Sequence, residues 1–288
     1  MLRECLRSIQ LQSYKNYEVI VVDNHSTDGS PEIVRREYPW VILLPTERIG
    51  IAQACNRGMR TAKGDIIVTM LNNDMIVDRE WLLHLVAALN LHEVGVVGGK
   101  IYNFGTRVIQ AAGNWINWNL GVCGKIGTGE KDTGQYDDFR EVDYVDVPTV
   151  RRDVVNAIGG IDEGFSFYYT DVDFCVRAKR AGYKVLYVPP AVSWHRLSAT
   201  VGNSMWRKPL LIEIDGMRFL IKHSSTPVIF YRLCCRVLFV LIQIARIAVF
   251  ERRMDLASIE TVAFLRSIVS LPRAIRSLHT QETSTLRH

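Results

Sequence analysis

At 288 residues and 32.8 kDa the chain is long enough for one large domain, or one domain with an appendage, and can bury a sizeable core. Hydrophobic residues at 48%, aromatics at 9% and charged residues at 23% exclude a stapled mini-protein, a low-complexity repeat and a disordered polymer. The net charge of +5 is local: residues 218–288 hold eleven Lys or Arg against four Asp or Glu, which leaves residues 1–217 at about −2 and argues against a nucleic-acid partner.

Leu2, Cys5, Leu6 and Ile9 recur at i, i+3, i+4, i+7, so the chain opens in an amphipathic helix with no strand before it. An apolar run of buried-strand type, 17–23, ends in the turn-rich NHSTDGSP, and Pro31 suits the first turn of the next helix. The alternation continues with a strand over 41–45, a helix over 51–63, a strand over 65–71, a helix over 79–91 and a strand over 94–99. This spacing predicts an α/β domain with a mostly parallel, Rossmann-like sheet, which binds ligands where its strands end. Residues 100–145 read as loops and short strands; a helix follows near 153–158, another over 171–181, and a strand over 184–189. The body is expected to end near residue 205, with a helical, basic tail over 206–288.

The tail holds the apolar segment VIFYRLCCRVLFVLIQIARIAVF, 228–250, whose longest uncharged inner stretch is the nine residues 237–245, short of the roughly 20 that cross a bilayer. On a helix Arg232, Arg236, Gln243 and Arg246 share a stripe about 80° wide, which suits the membrane interface, a protein groove or packing on the body. Six cysteines without CxxC spacing, and no secretory signal, predict reduced thiols and a cytoplasmic protein, and the basic, apolar tail adds peripheral contact with the inner membrane face.

Dinucleotide, P-loop and nucleophile-elbow motifs are absent, so chemistry falls to carboxylates at strand and helix ends. Asp23 ends an apolar strand and could accept hydrogen bonds from a nucleobase and ribose, or serve as a turn or cap. Asn72, Asn73 and Asp74 offer oxygen ligands suited to Mg2+ or Mn2+ bridging phosphates, or form a polar turn. Asp162, Glu163, Asp171 and Asp173 form a second acidic cluster, part of which the N-terminus of a helix explains and part of which could act as a general base. His195, just beyond the last expected strand, has no partner visible in sequence, and Trp115 could stack on a sugar or pack as a lid.

Three ordered blocks, LRECLRSIQLQSYKNYEVIVVDNHSTDGS, GIAQACNRGMRTAKGDIIVTMLNND and GGIDEGFSFYYTDVDFCVRAKRAGYKVLYVPPAVSWH, resemble the family 2 glycosyltransferases, inverting enzymes of the GT-A fold, and within them the rhamnosyltransferase-like branch of polysaccharide assembly. The resemblance implies that Asp23, with Asn24 and Asn56, binds the nucleotide, and that Asp74 and His195 hold a divalent cation against the donor diphosphate. It makes Asp171 the catalytic base and leaves Asp162, Glu163, Asp173 and Trp115 on the acceptor side. The implied partners are a nucleotide-diphospho-sugar donor and a lipid-linked or glycan acceptor. Thr170 stands where the family usually has Glu before the base. Relatives also begin with an apolar strand that this chain lacks ahead of its first helix, so the strands at 17–23 and 65–71 are expected to lack a shared neighbour. A sugar-phosphate nucleotidyltransferase and a non-catalytic relative that binds membrane or a partner are the alternative readings.

Overall fold

A computed structural model describes residues 1–68, 71–196, 207–249, 255–259 and 261–269. The chain divides into two compact units, the first built from Met1–Trp115, Gly124–Asp162 and Asp171–Ala199, the second from Ile116–Cys123, Glu163–Thr170 and Thr200–His288.

The first unit opens with α1 (Leu2–Gln10), β1 (Ile20–Asn24), α2 (Ser30–Glu37, with Pro31 in its first turn) and β2 (Ile42–Thr46). It continues through α3 (Ile51–Thr61), β3 (Ile66–Val68), β4 (Met75–Val77), α4 (Trp81–Leu89) and β5 (Val94–Asn103). The short strands β6 (Ile109–Ala111), β7 (Asn114–Asn117), β8 (Val122–Lys125), β9 (Arg140–Glu141) and β10 (Thr149–Arg151) follow, then α5 (Arg152–Ile158), α6 (Thr170–Arg180) and β11 (Lys184–His195).

A mostly parallel sheet is what the alternation leads one to expect, and here the structure departs from it. Among the described residues the main sheet has the order β3-β10-β5-β11-β4, with β6 added to β5 and β9 to β11, and only β5 and β11 run parallel in it. The other parallel pair, β1 with β2, forms a separate two-stranded sheet. The reason lies in the connections, since parallel pairing needs a crossover. Helix α2 returns the chain between β1 and β2, and α5 and α6 return it between β5 and β11, whereas β6, β9 and β10 arrive through strands and turns without a helix. Among the described residues β1 pairs only with β2, and β3 only with β10.

Two apolar layers hold this unit. Leu6 of α1 packs with Val34, Tyr38 and Val41, with Val21 and Leu43 against them. Leu85 and Leu89 of α4 pack on Val97 of β5 and Val188 of β11. Helix α1 also reaches the main sheet, where the Val77 amide donates to Ser8 Oγ at 3.2 Å.

The second unit contains α7 (Arg207–His223), α8 (Thr226–Val249) and the helical segments 255–259 and 261–269. Buried Asp215 of α7 accepts three consecutive backbone N–H groups, from Ser166 at 2.9 Å, Phe167 at 3.0 Å and Tyr168 at 2.9 Å. Burial pushes this carboxyl up and the three amides oppose it. Next to that turn, the Tyr169 hydroxyl donates to Gly121 O at 2.8 Å, and the Phe219 ring lies 5.4 Å from Tyr169 and 5.6 Å from Trp118. Replacing Asp215 by Ala would leave three backbone donors without their shared acceptor, so the urea midpoint is expected to fall with a loss of about 2 kcal/mol, and Asp215→Asn, which keeps one acceptor oxygen, is expected to lose less.

Candidate active site

The first cluster is set by the antiparallel pairing of β4 with β11, which puts His195 opposite Met75. Strand β4 is not expected from the sequence, which puts Asp74 in a polar turn between the strand at 65–71 and the next helix. In the structure Asp74 sits in a tight turn, with the Met75 amide donating to Asn72 O at 3.2 Å. His195 is also re-placed: β11 does not stop at Pro189 but runs on to His195. A register shift between Val188 and Val192 takes the Pro189–Pro190 pair, which has no N–H to donate, out of the ladder.

Asp74 is buried, and its Oδ1 has no hydrogen-bond donor among the described residues. That oxygen lies 3.3 Å from His195 Nε2. The other ring nitrogen, Nδ1, is 3.0 Å from Gln110 Nε2 and 3.2 Å from its Oε1. When Nδ1–H donates to Gln110 Oε1, Nε2 presents its lone pair to Asp74, and an oxygen and a nitrogen donor face one point. This arrangement fits a divalent cation that accepts mixed O/N ligands. Among the described residues no group of three or more His, Cys, Asp or Glu is poised for a metal, so the remaining positions would fall to phosphate oxygens and water.

The second cluster gathers around Asp171, in the first turn of α6. Its carboxyl is pushed up to about 7, first by burial and then by the Asp146 carboxylate, with the Val172 amide and Lys125 opposing. Asp146 is held from two sides, by Lys125 Nζ at 2.9 Å and by Asn114 Nδ2, which donates to it at 3.0 Å. Burial works against the Lys125 ammonium, but Asp146 and then Asp171 outweigh it and hold its pKa above the ordinary value. The residue after Asp146 is strained: Val147, β-branched and followed by proline, takes φ 47°. Its side chain packs on the cluster of Met75, Ile101 and Ala111, so the residues that follow Asp74 and Asp146 share one apolar footing.

Asp23, Asn24, Asn56 and Asp173 bond groups outside these clusters. Asp23 is partly exposed at the end of β1, and its Oδ1 accepts the Ser26 amide at 3.1 Å. The Asn24 amide is taken up by both backbone groups of Ile49 at 2.8 Å each, and Asn56 grips both backbone groups of Ile161 at 2.8 Å each. Buried Asp173 pairs with Arg177 at 2.8 Å, and that guanidinium also donates to Ile158 O and Gly160 O at 2.7 Å. Asp162 is half-buried and Glu163 exposed. The Trp115 ring covers Gly124, where any side chain would overlap it. Gln110, Asn114, Lys125 and Asp146 escaped the sequence reading. Asp146 had a signal in the acidic alternation DYVD, while the other three lie in a stretch without periodicity.

The sequence model of the family described as Glycosyl transferase family 2 matches residues 1–140. An N-acetylglucosaminyl-diphospho-decaprenol L-rhamnosyltransferase of Mycobacterium tuberculosis is 28% identical over 229 residues, covering 70% of this chain and 74% of that protein. The O-antigen biosynthesis protein RfbC of Myxococcus xanthus is 30% identical over 216 residues, 69% of this chain and 16% of that protein. Against three further curated relatives the chain spans 22%, 35% and 15% of their length. Among solved structures, the mannosyltransferase PcManGT from Pyrobaculum calidifontis in complex with GDP-Man and Mn2+ superposes with a TM-score of 0.56 at 20% identity, covering 93% of this chain and 82% of that one. S. aureus TarS 1-349 in complex with UDP gives 0.55 at 16% identity, covering 95% and 88%. Residues 1–140 therefore match the glycosyl transferase family 2, and the chain shares the GT-A fold of these solved transferases.

Proposed function

We propose that the chain is a metal-dependent inverting glycosyltransferase that moves a sugar from a nucleotide-diphosphate donor to a lipid-linked or glycan acceptor. The observation that carries this reading is the donor-free Asp74 oxygen facing His195 Nε2 at 3.3 Å in the same unit as a carboxyl, Asp171, poised near neutrality. A mannosyltransferase with GDP-Man and Mn2+ and a structure with UDP share the fold, which supports a nucleotide-sugar donor and a divalent cation, Mg2+ or Mn2+. The L-rhamnosyltransferase relative supports rhamnose as the sugar. Catalysis is assigned to residues 1–205, and the tail 206–288 to peripheral contact with the inner face of the cytoplasmic membrane.

Asp171 takes the proton of the acceptor hydroxyl as its oxygen attacks the anomeric carbon from the face opposite the nucleotide. A carboxyl near pH 7 is half ionised at working pH and strong enough to accept that proton. Burial and Asp146 keep Asp171 basic, and Lys125 and Asn114 hold Asp146 in place. A divalent cation held by Asp74 and His195 would neutralise the charge growing on the departing diphosphate. Asp23 is assigned to the nucleobase. Asn24 and Asn56, whose amides are occupied, are assigned to shaping the loops beside it.

Asp171→Asn is expected to lower the transfer rate by about 10²–10⁴-fold while donor affinity measured by calorimetry stays near wild type. Asp74→Asn is expected to weaken donor binding and to shift the Mn2+ titration of activity to higher metal. Asp146→Asn removes a carboxylate that raises Asp171, so the ascending limb of the rate–pH profile is expected to move to lower pH, whereas removal of Lys125 charge moves it up. The same shift acts on folding. The folded-state carboxyl of Asp171 titrates above its unfolded value of 3.8, so its contribution is full below that pH and is lost as pH rises to about 7. Thermal unfolding across that window is expected to show wild type losing stability relative to Asp171→Asn.

A further inference from the structure

The arginine stripe of α8 offers a polar face to membrane or protein, and the structure decides between them for its first half. Arg236 is 2% exposed, donating from Nη2 to Glu213 Oε1 at 2.7 Å and from Nη1 to Leu120 O at 3.0 Å. Arg232 donates to Ser224 Oγ at 2.9 Å and stacks 5.7 Å from the Trp118 ring centroid. These two cations are spent inside the second unit. The opposite side of the helix is apolar and open: Phe230 is 75% exposed, Leu238 60%, Leu241 53%, Ile242 56% and Val249 66%. At about 1.5 Å per residue the strip from Phe230 to Val249 is about 28 Å long, well beyond scattered surface apolar residues.

We propose that this outer face of α8 is a lipid-docking surface, lying flat in the interface of an anionic membrane. Three observations favour lipid. The segment Val228–Val249, 22 residues with mean hydropathy 2.0, is apolar enough for a bilayer by length and composition. No Asp or Glu occurs in α8, and Arg246, exposed near the end of the strip, begins a stretch to residue 288 with seven arginines against four acidic residues, complementary to anionic headgroups. The helix lies flat and does not span, because the Arg236–Glu213 pair ties its inner face to α7, and a helix surrounded by hydrocarbon would have to leave that partner. The proposal deepens the membrane contact offered above by naming the face that makes it, and it stands apart from the transfer reaction.

The test is co-sedimentation of the full chain with vesicles of mixed phosphatidylglycerol and phosphatidylcholine, for wild type and the double variant Leu238→Glu, Ile242→Glu. Wild type is expected to sediment with the vesicles, and the double variant to bind roughly a hundredfold more weakly, since each buried leucine-sized side chain is worth about a factor of ten or more. Its urea midpoint and its transfer to a soluble acceptor are expected to match wild type, so loss of binding is separable from failure of the proposed reaction. A membrane-embedded photoactivatable probe on wild-type protein gives a reading that needs no variant, with label expected in 230–249 and none in 207–223. Wild type that stays in the supernatant, a double variant that binds equally, label confined elsewhere, or a lipid-free dimer that the double variant dissolves would each overturn the proposal.

Discussion

A buried carboxylate oxygen without a donor is costly unless something positive completes it, and Asp74 Oδ1 is such an atom. Its position is not free to relax. Strand β4 is pinned to β11 by the register that puts Met75 opposite His195, and β11 is pinned to β5, where His195 faces Asn103. The two ligand-type atoms, one on β11 and one in the turn that leads into β4, are therefore held 3.3 Å apart by the pairing of three strands. In the proposed reaction a cation with a diphosphate would supply the missing charge.

The second cluster follows the same logic with protons in place of a metal. Two carboxylates, Asp146 and Asp171, share the neighbourhood of a single ammonium, Lys125; Asp146 pairs with it, while burial and then Asp146 push Asp171 up to about 7. The left-handed backbone at Val147 is the strain that accompanies this placement, and its packing on Met75, Ile101 and Ala111 is what sustains it. Because Met75 follows Asp74 and Val147 follows Asp146, one apolar cluster supports both the metal-type pair and the carboxylate pair.

Periodicity made the helices and most of the long strands legible, because α1, α3, α4 and α6 each bury one apolar stripe and β5 is a continuous apolar run. It could not reveal strand direction, which depends on whether a helix intervenes, nor β4, three residues too short to show a period. The extension of β11 through two prolines was hidden for a related reason, since prolines read as a stop and here lie in a bulge. Within the site, Asp74, Asp171 and His195 stand out as chemistry-bearing residues beside strand and helix ends. Gln110, Asn114 and Lys125 do not, because they act through partners distant in sequence. The asparagines Asn24 and Asn56 show the converse: amide side chains in family-like motifs whose bonds go to backbone groups of Ile49 and Ile161.

The central claim is that the Asp74–His195 pair and the Asp171 carboxyl line one donor site. Paramagnetic broadening of backbone amide signals by Mn2+ in complex with a nucleoside diphosphate tests it most directly. The account predicts that signals from Asn73 to Met75, from Gln110, and from the Asp146 and Asp171 segments broaden together at substoichiometric metal. Broadening confined to the Asp74 turn with Asp146 and Asp171 untouched, or centred on a different part of the first unit, would contradict it.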